Sequence, residues 1–206
     1  MTLPRLYAII DLSCFAAPVS SAAVADYARE LALGGVTLIQ YRNKTGSARE
    51  MLSHARELRR VLGREVKLIM NDRPDLCLAA SCDGVHVGQD DISPAAARSL
   101  LGPNKLLGIS THNISQLREA DALAVDYIAI GPVFATASKR NPDAVVGLEG
   151  VRAARATTTK PLVAIGGITR ANACSVIQAG ADSVAVIADL VSSPRQAAQE
   201  FLQLLA

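Results

Sequence analysis

The chain contains no tryptophan, and aromatic residues of all kinds make up only 3% of its 206 positions. A platform for single-stranded nucleic acid, which stacks bases on aromatic faces, is excluded on that ground. An excess of charge of one sign is also missing. The formal balance is +2, so no global field recommends nucleic acid or a membrane surface as partner. Apolar runs are too short to span a bilayer, and Met1-Thr2-Leu3-Pro4-Arg5 leads straight into a strand-like segment rather than a secretory leader. A cytoplasmic location is the expectation. The four cysteines, Cys14, Cys77, Cys82 and Cys174, lack C-x-x-C spacing, which argues against zinc and for reduced thiols.

What is present is aliphatic. Half of the residues are hydrophobic and 19% are charged, enough for a sizeable core within one domain spanning 1–206. Runs rich in Val and Ile predict strands near 5–10, 36–41, 66–70, 83–87, 105–109, 126–130, 161–165 and 182–187. Between them lie segments with helical spacing. Ala22 to Leu33 sets Val24, Tyr27, Ala28 and Leu31 on one face, and Ala48 to Leu62 does the same with Met51, Leu52, Ala55, Leu58 and Val61. Ser93-Pro94 and Ser193-Pro194 each read as a helix N-cap followed by proline at the first helical position. Eight such alternations predict the α/β class and a (β/α)8 TIM barrel. A doubly wound open sheet is the alternative, but its G-x-G-x-x-G fingerprint is missing.

A weak repeat supports the barrel. Asp83-Gly-Val-His-Val-Gly88, Asp126-Tyr-Ile-Ala-Ile-Gly131 and Asp182-Ser-Val-Ala-Val-Ile187 share an acidic start and alternating aliphatics, as the fourth, sixth and eighth strands. The interval from the second to the third is the longer. Its surplus falls at Ala135 to Gly147, a polar stretch poor in helix signals, and long loops in compact domains are commonly functional.

Barrel enzymes place their sites where strands end, so the strand ends carry the chemistry. Strand two ends in Gln40-Tyr41-Arg42-Asn43-Lys44, where alternation aims Gln40, Arg42 and Lys44 the same way, a pattern suited to a polyanion or to a solvated basic turn. Strands three and four end in Asn71-Asp72 and Asp90-Asp91. If neighbours, Asp72 and Asp91 can share one divalent cation, and magnesium typically takes one or two carboxylates plus phosphate oxygens. An acidic residue after a strand is ordinarily a turn former or cap. For Asp91 the cap is already offered by Ser93, which leaves its carboxylate free. Strand five ends in Ser110-Thr111-His112-Asn113. A Ser–His hydrolase is disfavoured because no G-x-S-x-G surrounds Ser110, which reads better as a polar contact to substrate. His112 reads as a cap for the next helix, and His86, inside a strand, as a satisfied buried histidine. After strand six come Thr136, Ser138 and Lys139, on a loop able to cover an anionic substrate or simply exposed. After strand seven, Gly166-Gly167-Ile168-Thr169 is expected to open a helix and present backbone N–H groups to a phosphate, with the strand-eight end near Ala188-Asp189 completing the cradle. Two anion sites emerge, one at strands two to four and one at strands seven and eight.

The ordered set Gln40-x-Arg42-x-Lys44, Asn71-Asp72, Gly84-x-His86-x-Gly88-Gln89-x-Asp91, Gly131-Pro132 with Thr136-x-Ser138-Lys139, and Gly166-Gly167-Ile168 resembles the thiamine phosphate synthase family over nearly the whole chain. The resemblance implies a (β/α)8 barrel and a transferase. It implies coupling of hydroxymethylpyrimidine diphosphate to a thiazole phosphate, or its carboxylate, with release of diphosphate through a pyrimidine carbocation. It further implies Mg2+ on Asp72 and Asp91, and diphosphate contacts from Arg42, Lys44, Asn71 and Lys139. Ser110 would stand near the methylene and leaving group, and Gln40 near the pyrimidine ring. Thr136 and Ser138 would meet the thiazole, whose phosphate would rest on Gly167 and on the backbone near Ile187 and Ala188. The catalytic group so implied is Lys139, Ser110, Arg42 and Lys44. Partners are small molecules, with no nucleic acid and no membrane, and an oligomer is left open.

Two positions depart from the pattern. Ser138 stands where the family usually has threonine, which keeps the hydroxyl. Ala188 stands where serine often follows the isoleucine, which removes one phosphate contact and predicts weaker thiazole binding at most. The related thiazole tautomerases share the barrel and cradle, but the resemblance assigns them neither the paired carboxylates nor the strand-two lysine. A phosphosugar isomerase or epimerase on the same barrel and a non-catalytic phosphate-binding regulator are the remaining alternatives.

Overall fold

The computed structural model describes residues 2–136 and 143–206. Eight strands, β1 (Leu6–Asp11), β2 (Leu38–Arg42), β3 (Lys67–Asn71), β4 (Gly84–Val87), β5 (Leu106–Thr111), β6 (Tyr127–Ile130), β7 (Leu162–Ile165) and β8 (Ser183–Val186), pair in sequence order. Every pairing is parallel and β8 returns to β1, closing the barrel. Helices α1 (Ser21–Leu33), α2 (Ala48–Leu62), α3 (Pro74–Ala79), α4 (Pro94–Leu101), α5 (Ile114–Asp121), α6 (Gly147–Thr157) and α7 (Ala173–Gln178) lie in the crossovers that parallel neighbours require, and α8 (Pro194–Leu204) follows the last strand. All eight predicted strands are present to within a residue or two.

Side chains alternate along each strand, so closure sorts them into two cores. Tyr7, Ile9, Leu38, Ile69, Tyr127, Ala129, Val163 and Ala185 pack inside the barrel. Their neighbours, among them Leu6, Ala8, Ile10, Ile39, Leu68, Met70, Val85, Ile128 and Val184, face outward and pack with the helices. The interior is narrow. A Cβ on Gly108 would lie 2.1 Å from the Tyr127 ring, so glycine at that inward position makes room for the tyrosine.

The helix faces follow their spacing in part: on α2, Leu52 and Val61 are only half-buried, and Leu62 and His54 are additions. Met51, Ala55, Leu58 and Leu62 of α2 are buried as an apolar stripe, and so is His54, whose Nδ1 lies 2.8 Å from the Tyr41 hydroxyl. Ser93 caps α4 by accepting from the Ala96 N–H, with Pro94 at the first helical position. Ser193 does not behave alike: Pro194 opens α8, but the serine makes no side-chain capping bond.

The acidic repeat has a structural meaning. Asp83, Asp126 and Asp182 precede β4, β6 and β8 at the N-terminal face of the barrel. Each carboxylate accepts an N–H from the previous strand, of Leu68, Leu107 and Leu162, at 2.7–2.8 Å. Each also pairs with an arginine of the helix that leads into that previous strand, α2, α4 or α6: Arg59 at 2.6 Å, Arg98 at 2.6 Å and Arg155 at 2.8 Å. The same guanidinium groups donate to carbonyls just after their own helices, for Arg98 those of Gly102 and Lys105. Each clamp thus ties a helix C-terminus to two adjacent strands. Asp126→Ala should lower stability by about 1–3 kcal/mol, the cost of orphaning charged hydrogen-bond partners, in urea unfolding. An unchanged midpoint would show that the clamp carries no stability.

Candidate active site

The opposite face, where the strands end, opens into a cavity of about 530 Å³. Gln40, Arg42, Lys44, Asn71, Asp72, Asp91, Ser110, Thr136, Gly167, Ile187 and Ala188 all line it. Ser138 and Lys139 lie outside the described residues.

The inward positions explain this gathering. Gln40 and Arg42 alternate with outward Ile39 and Tyr41 on β2, and Lys44 follows in the same direction. Asn71 ends β3 beside His86 of β4, and the Asp72 N–H donates to the His86 carbonyl at 2.8 Å. That bond holds Asp72 at φ 61°, a left-handed conformation that aspartate tolerates better than most residues. The result sets the Asp72 carboxylate against the Lys44 ammonium, with Asp91 Oδ1 3.8 Å from the same nitrogen.

Asp91 is less free than its sequence context implies. Its Oδ2 accepts the Gly88 N–H at 2.8 Å, closing the turn after β4. Burial and the hydrogen bond to Asp91 raise the Asp72 carboxyl above its ordinary range, against the lowering effect of Lys44. Asp91 is held below its ordinary range: burial works against ionisation there, but hydrogen bonds from Asp72 and Gly88 and the charge of Lys44 prevail. Two close carboxylates thus compete for one cation, which Lys44 supplies in part. Among the described residues no group of three or more histidine, cysteine or acidic side chains could hold a metal. The donors therefore fit a cation completed by substrate oxygens, as magnesium on a diphosphate is, rather than a fully protein-ligated metal.

Arg42 has a partner that sequence reading missed. Its guanidinium lies 2.5 Å from Asp11 Oδ2, at the end of the adjacent β1. Asp11 is buried, and its Oδ1 accepts from the Ser13 N–H at 3.0 Å and the Ser13 hydroxyl at 2.8 Å. An inward-facing acidic residue at a strand end was the available signal, since Asp11 ends the first strand as Asn71 ends the third.

A polar chain crosses the cavity floor. Gln40 Nε2 donates to the Tyr7 hydroxyl at 2.9 Å, which lies 2.9 Å from the Tyr127 hydroxyl. Tyr127 is 3.1 Å from His86 Nδ1, and His86 Nε2 is 2.8 Å from Ser110 Oγ. His86 is thus the satisfied buried histidine that its strand position predicts, and it also lines the cavity. His112 is not a helix cap. Asn113 caps α5, while His112 Nδ1 lies 2.7 Å from the Gly131 carbonyl and 3.4 Å from Asp143.

The strand-seven and strand-eight ends, expected to hold a second anion, are built differently from expectation. Gly166 and Gly167 take φ values of 101° and 63°, and a Cβ on either would lie 2.5 Å from the segment after β6, at Pro132 Cβ or the Ala135 carbonyl. They do not open a helix, because α7 begins only at Ala173. The N–H groups of Thr169 and Arg170 are taken by Asn172 and Asp189 side chains. The Gly166-Gly167 stretch is a turn that lines the cavity together with residues of the 3-10 turn Ala188–Leu190. The segment after β6 is laid on it by Val133 N–H to the Ile165 carbonyl at 2.8 Å and Phe134 N–H to the Gly166 carbonyl at 3.0 Å.

Comparison with known proteins agrees with this geometry. Residues 6–190 match the sequence profile of the family described as thiamine monophosphate synthase. The chain belongs to that family. A thiamine-phosphate synthase of Koribacter versatilis is 64% identical over 205 residues, covering 100% of this chain and 97% of that protein. One from Chloroflexus aurantiacus is 50% identical over 162 residues, covering 78% and 74%. A solved thiamine phosphate pyrophosphorylase from Pyrococcus furiosus superposes with a TM-score of 0.85 at 32% identity, covering 98% of this chain and 95% of that one. Family membership makes the chain a transferase acting on small molecules. No helix among the described residues is long and apolar enough to cross a membrane.

Burial depresses the His86 imidazole from 6.5 to about 4, with the Asp91 charge opposing weakly. A folded-state value below the unfolded one means a stability contribution complete above about pH 6.5 and lost as pH falls through about 4. His86 ring resonances should therefore stay neutral from pH 8 to pH 5 in an NMR titration. A midpoint near 6.5 would contradict that burial.

Proposed function

We propose that this chain couples hydroxymethylpyrimidine diphosphate with a thiazole phosphate, or its carboxylate, forming thiamine phosphate and releasing diphosphate, with carbon dioxide lost as well when the carboxylate is the substrate. The observation that carries the reading is one cavity lined at one side by the charged side chains of Arg42, Lys44, Asp72 and Asp91 and at another by the backbone turns at Gly167 and Ile187-Ala188; we read these as two unlike anion sites. A substrate with a diphosphate leaving group and a second with a single phosphate use both.

Charge bookkeeping supports a cation cofactor. Asp11, Asp72 and Asp91 face only Arg42 and Lys44 among the described side chains of this rim. A diphosphate arriving there is repelled unless it brings positive charge. Mg2+, held by Asp72 and Asp91 together with diphosphate oxygens, would neutralise the leaving group and lower the barrier to its departure. Lys44, beside Arg42 and Asn71, would face the diphosphate. Lys139 joins them on the strength of the family resemblance.

The chemistry is heterolysis followed by capture. As the bond to the pyrimidine methylene breaks, negative charge grows on the departing diphosphate, and preorganised cations stabilise that state more than the ground state. The thiazole nitrogen attacks with its own lone pair and needs no general base. Thr136 and Ser138 orient the thiazole, and the Gly167 turn anchors its phosphate. Ala188 contributes only backbone there.

Purified protein with both substrates and magnesium should yield thiamine phosphate and diphosphate in equal amounts. Absence of both products sinks the reading, and isomerisation of the thiazole without coupling selects a tautomerase instead. Asp91→Ala should cut turnover by at least about 10²-fold while leaving circular dichroism unchanged, a scale expected for losing a preorganised electrostatic contact. Full activity of that variant with magnesium would refute the metal assignment.

A further inference from the structure

The coupling chemistry uses the two ends of the polar chain on the cavity floor and leaves its middle unexplained. Tyr7, Tyr127 and His86 are buried in an interior otherwise filled by Ile, Leu, Val and Ala. Aliphatic side chains would fill that space without any hydroxyl to satisfy, and buried hydroxyls are tolerated only when bonded.

Counting protons gives the chain a direction. An amide nitrogen can only donate, so Gln40 Nε2 gives its hydrogen to the Tyr7 oxygen. Tyr7 has one hydrogen, and with the Gln40 nitrogen turned toward it the Tyr127 oxygen at 2.9 Å accepts that hydrogen; with the amide so oriented, any other arrangement leaves a buried hydroxyl hydrogen without a partner. Tyr127, having accepted, donates its hydrogen to His86 Nδ1 at 3.1 Å. A neutral imidazole that accepts at Nδ1 carries its proton on Nε2, which then donates to Ser110 Oγ at 2.8 Å. The Ser110 hydrogen is thereby turned away from the histidine and into the cavity.

We propose that Tyr127 is a positioning residue which, through His86, holds Ser110 as a hydrogen-bond donor aimed at the leaving group. The opposite end is set by the same chain: with its nitrogen committed to Tyr7, Gln40 offers the cavity a carbonyl oxygen. The imidazole is a donor to Ser110 and not its base, so the Ser–His pair is built against nucleophilic attack by serine and for stabilising a departing oxyanion. What the serine meets rests on the coupling reading; the direction of the chain does not.

Nitrogen-15 NMR of the histidine rings in substrate-free protein tests the direction without any variant, with His54 and His112 removed one at a time for assignment. The proton of His86 is expected on Nε2. A proton on Nδ1, or on both nitrogens at neutral pH, overturns the proposal. Tyr127→Phe then tests the role. The ring is kept, with its edge contact to Tyr7 at 6.0 Å and its stack on His86 at 5.5 Å, while the hydroxyl is lost. The His86 tautomer should become mixed, and kcat should fall about 10–10²-fold, a fraction of what a removed oxyanion donor costs, with KM for the pyrimidine diphosphate nearly unchanged. In a Ser110→Ala background the same substitution should cost nothing further, because the donor it positions is gone. An equal loss in both backgrounds would mark Tyr127 as packing only and refute the role. If the wild-type proton sits on Nε2 but no coupling occurs, the coupling reading fails and the direction of the chain stands.

Discussion

Barrel closure is the constraint on which everything else depends. Once eight parallel strands close on themselves, alternate side chains must enter a space only a few residues wide, whatever their chemistry. Deep in that space, Tyr7, Leu38, Ile69, Tyr127 and Val163 fill the volume, and Gly108 yields its own to Tyr127. One step up each strand the inward residues become Gln40, Asn71, His86 and Ser110, and then the charged residues at the mouth. Depth along the barrel is a gradient from packing to chemistry, and parity decides which residue stands on it.

Much of this was legible before the fold was known because both determinants are local. Strands announced themselves as Val- and Ile-rich runs. Their ends were marked by the abrupt switch to Asn71-Asp72, Asp91 or Gly166-Gly167, so Arg42 and Lys44 could be placed together by parity, and Asp72 and Asp91 by the ends of neighbouring strands. The interactions that were not legible are those fixed by register across the barrel. Tyr7 and Tyr127 are 120 residues apart, and nothing local to either says that their hydroxyls meet. Arg42 meets Asp11 because β1 and β2 pair with those residues opposite one another. The glycine turn after β7 misled for the opposite reason: its local sequence suggests a helix start, but Asn172 and Asp189 take the N–H groups that a helix start would expose, and α7 begins later. The acidic repeat was visible as a pattern while its purpose was not, since the arginines that complete each clamp sit on the helices that lead into the previous strands, at differing distances in sequence.

Aspartate does two different jobs in this barrel, and the end of the strand decides which. At the N-terminal face, Asp83, Asp126 and Asp182 bind a backbone N–H and an arginine fork at once. Their guanidinium partners are further fixed by carbonyls of the helix C-termini. A planar fork held on several sides loses little entropy per bond and has no second position to occupy. Those charges are spent on holding helices to strands.

At the C-terminal face the partner is a lysine. The Lys44 side chain is 46% exposed, against 16% for Arg59 and 19% for Arg98 in the clamps. An ammonium on a flexible stem is a point charge that can exchange partners without breaking a fixed geometry, and its carboxylates are left with the capacity to take another cation. An arginine at this position, locked bidentate to Asp72, would satisfy the carboxylates too well to leave them that capacity. The burial that raises the Asp72 carboxyl shows that Lys44 compensates its charge only in part, while Asp91 is held low. Stability and chemistry are therefore separated by face, and within the chemical face by choosing the cation that can leave.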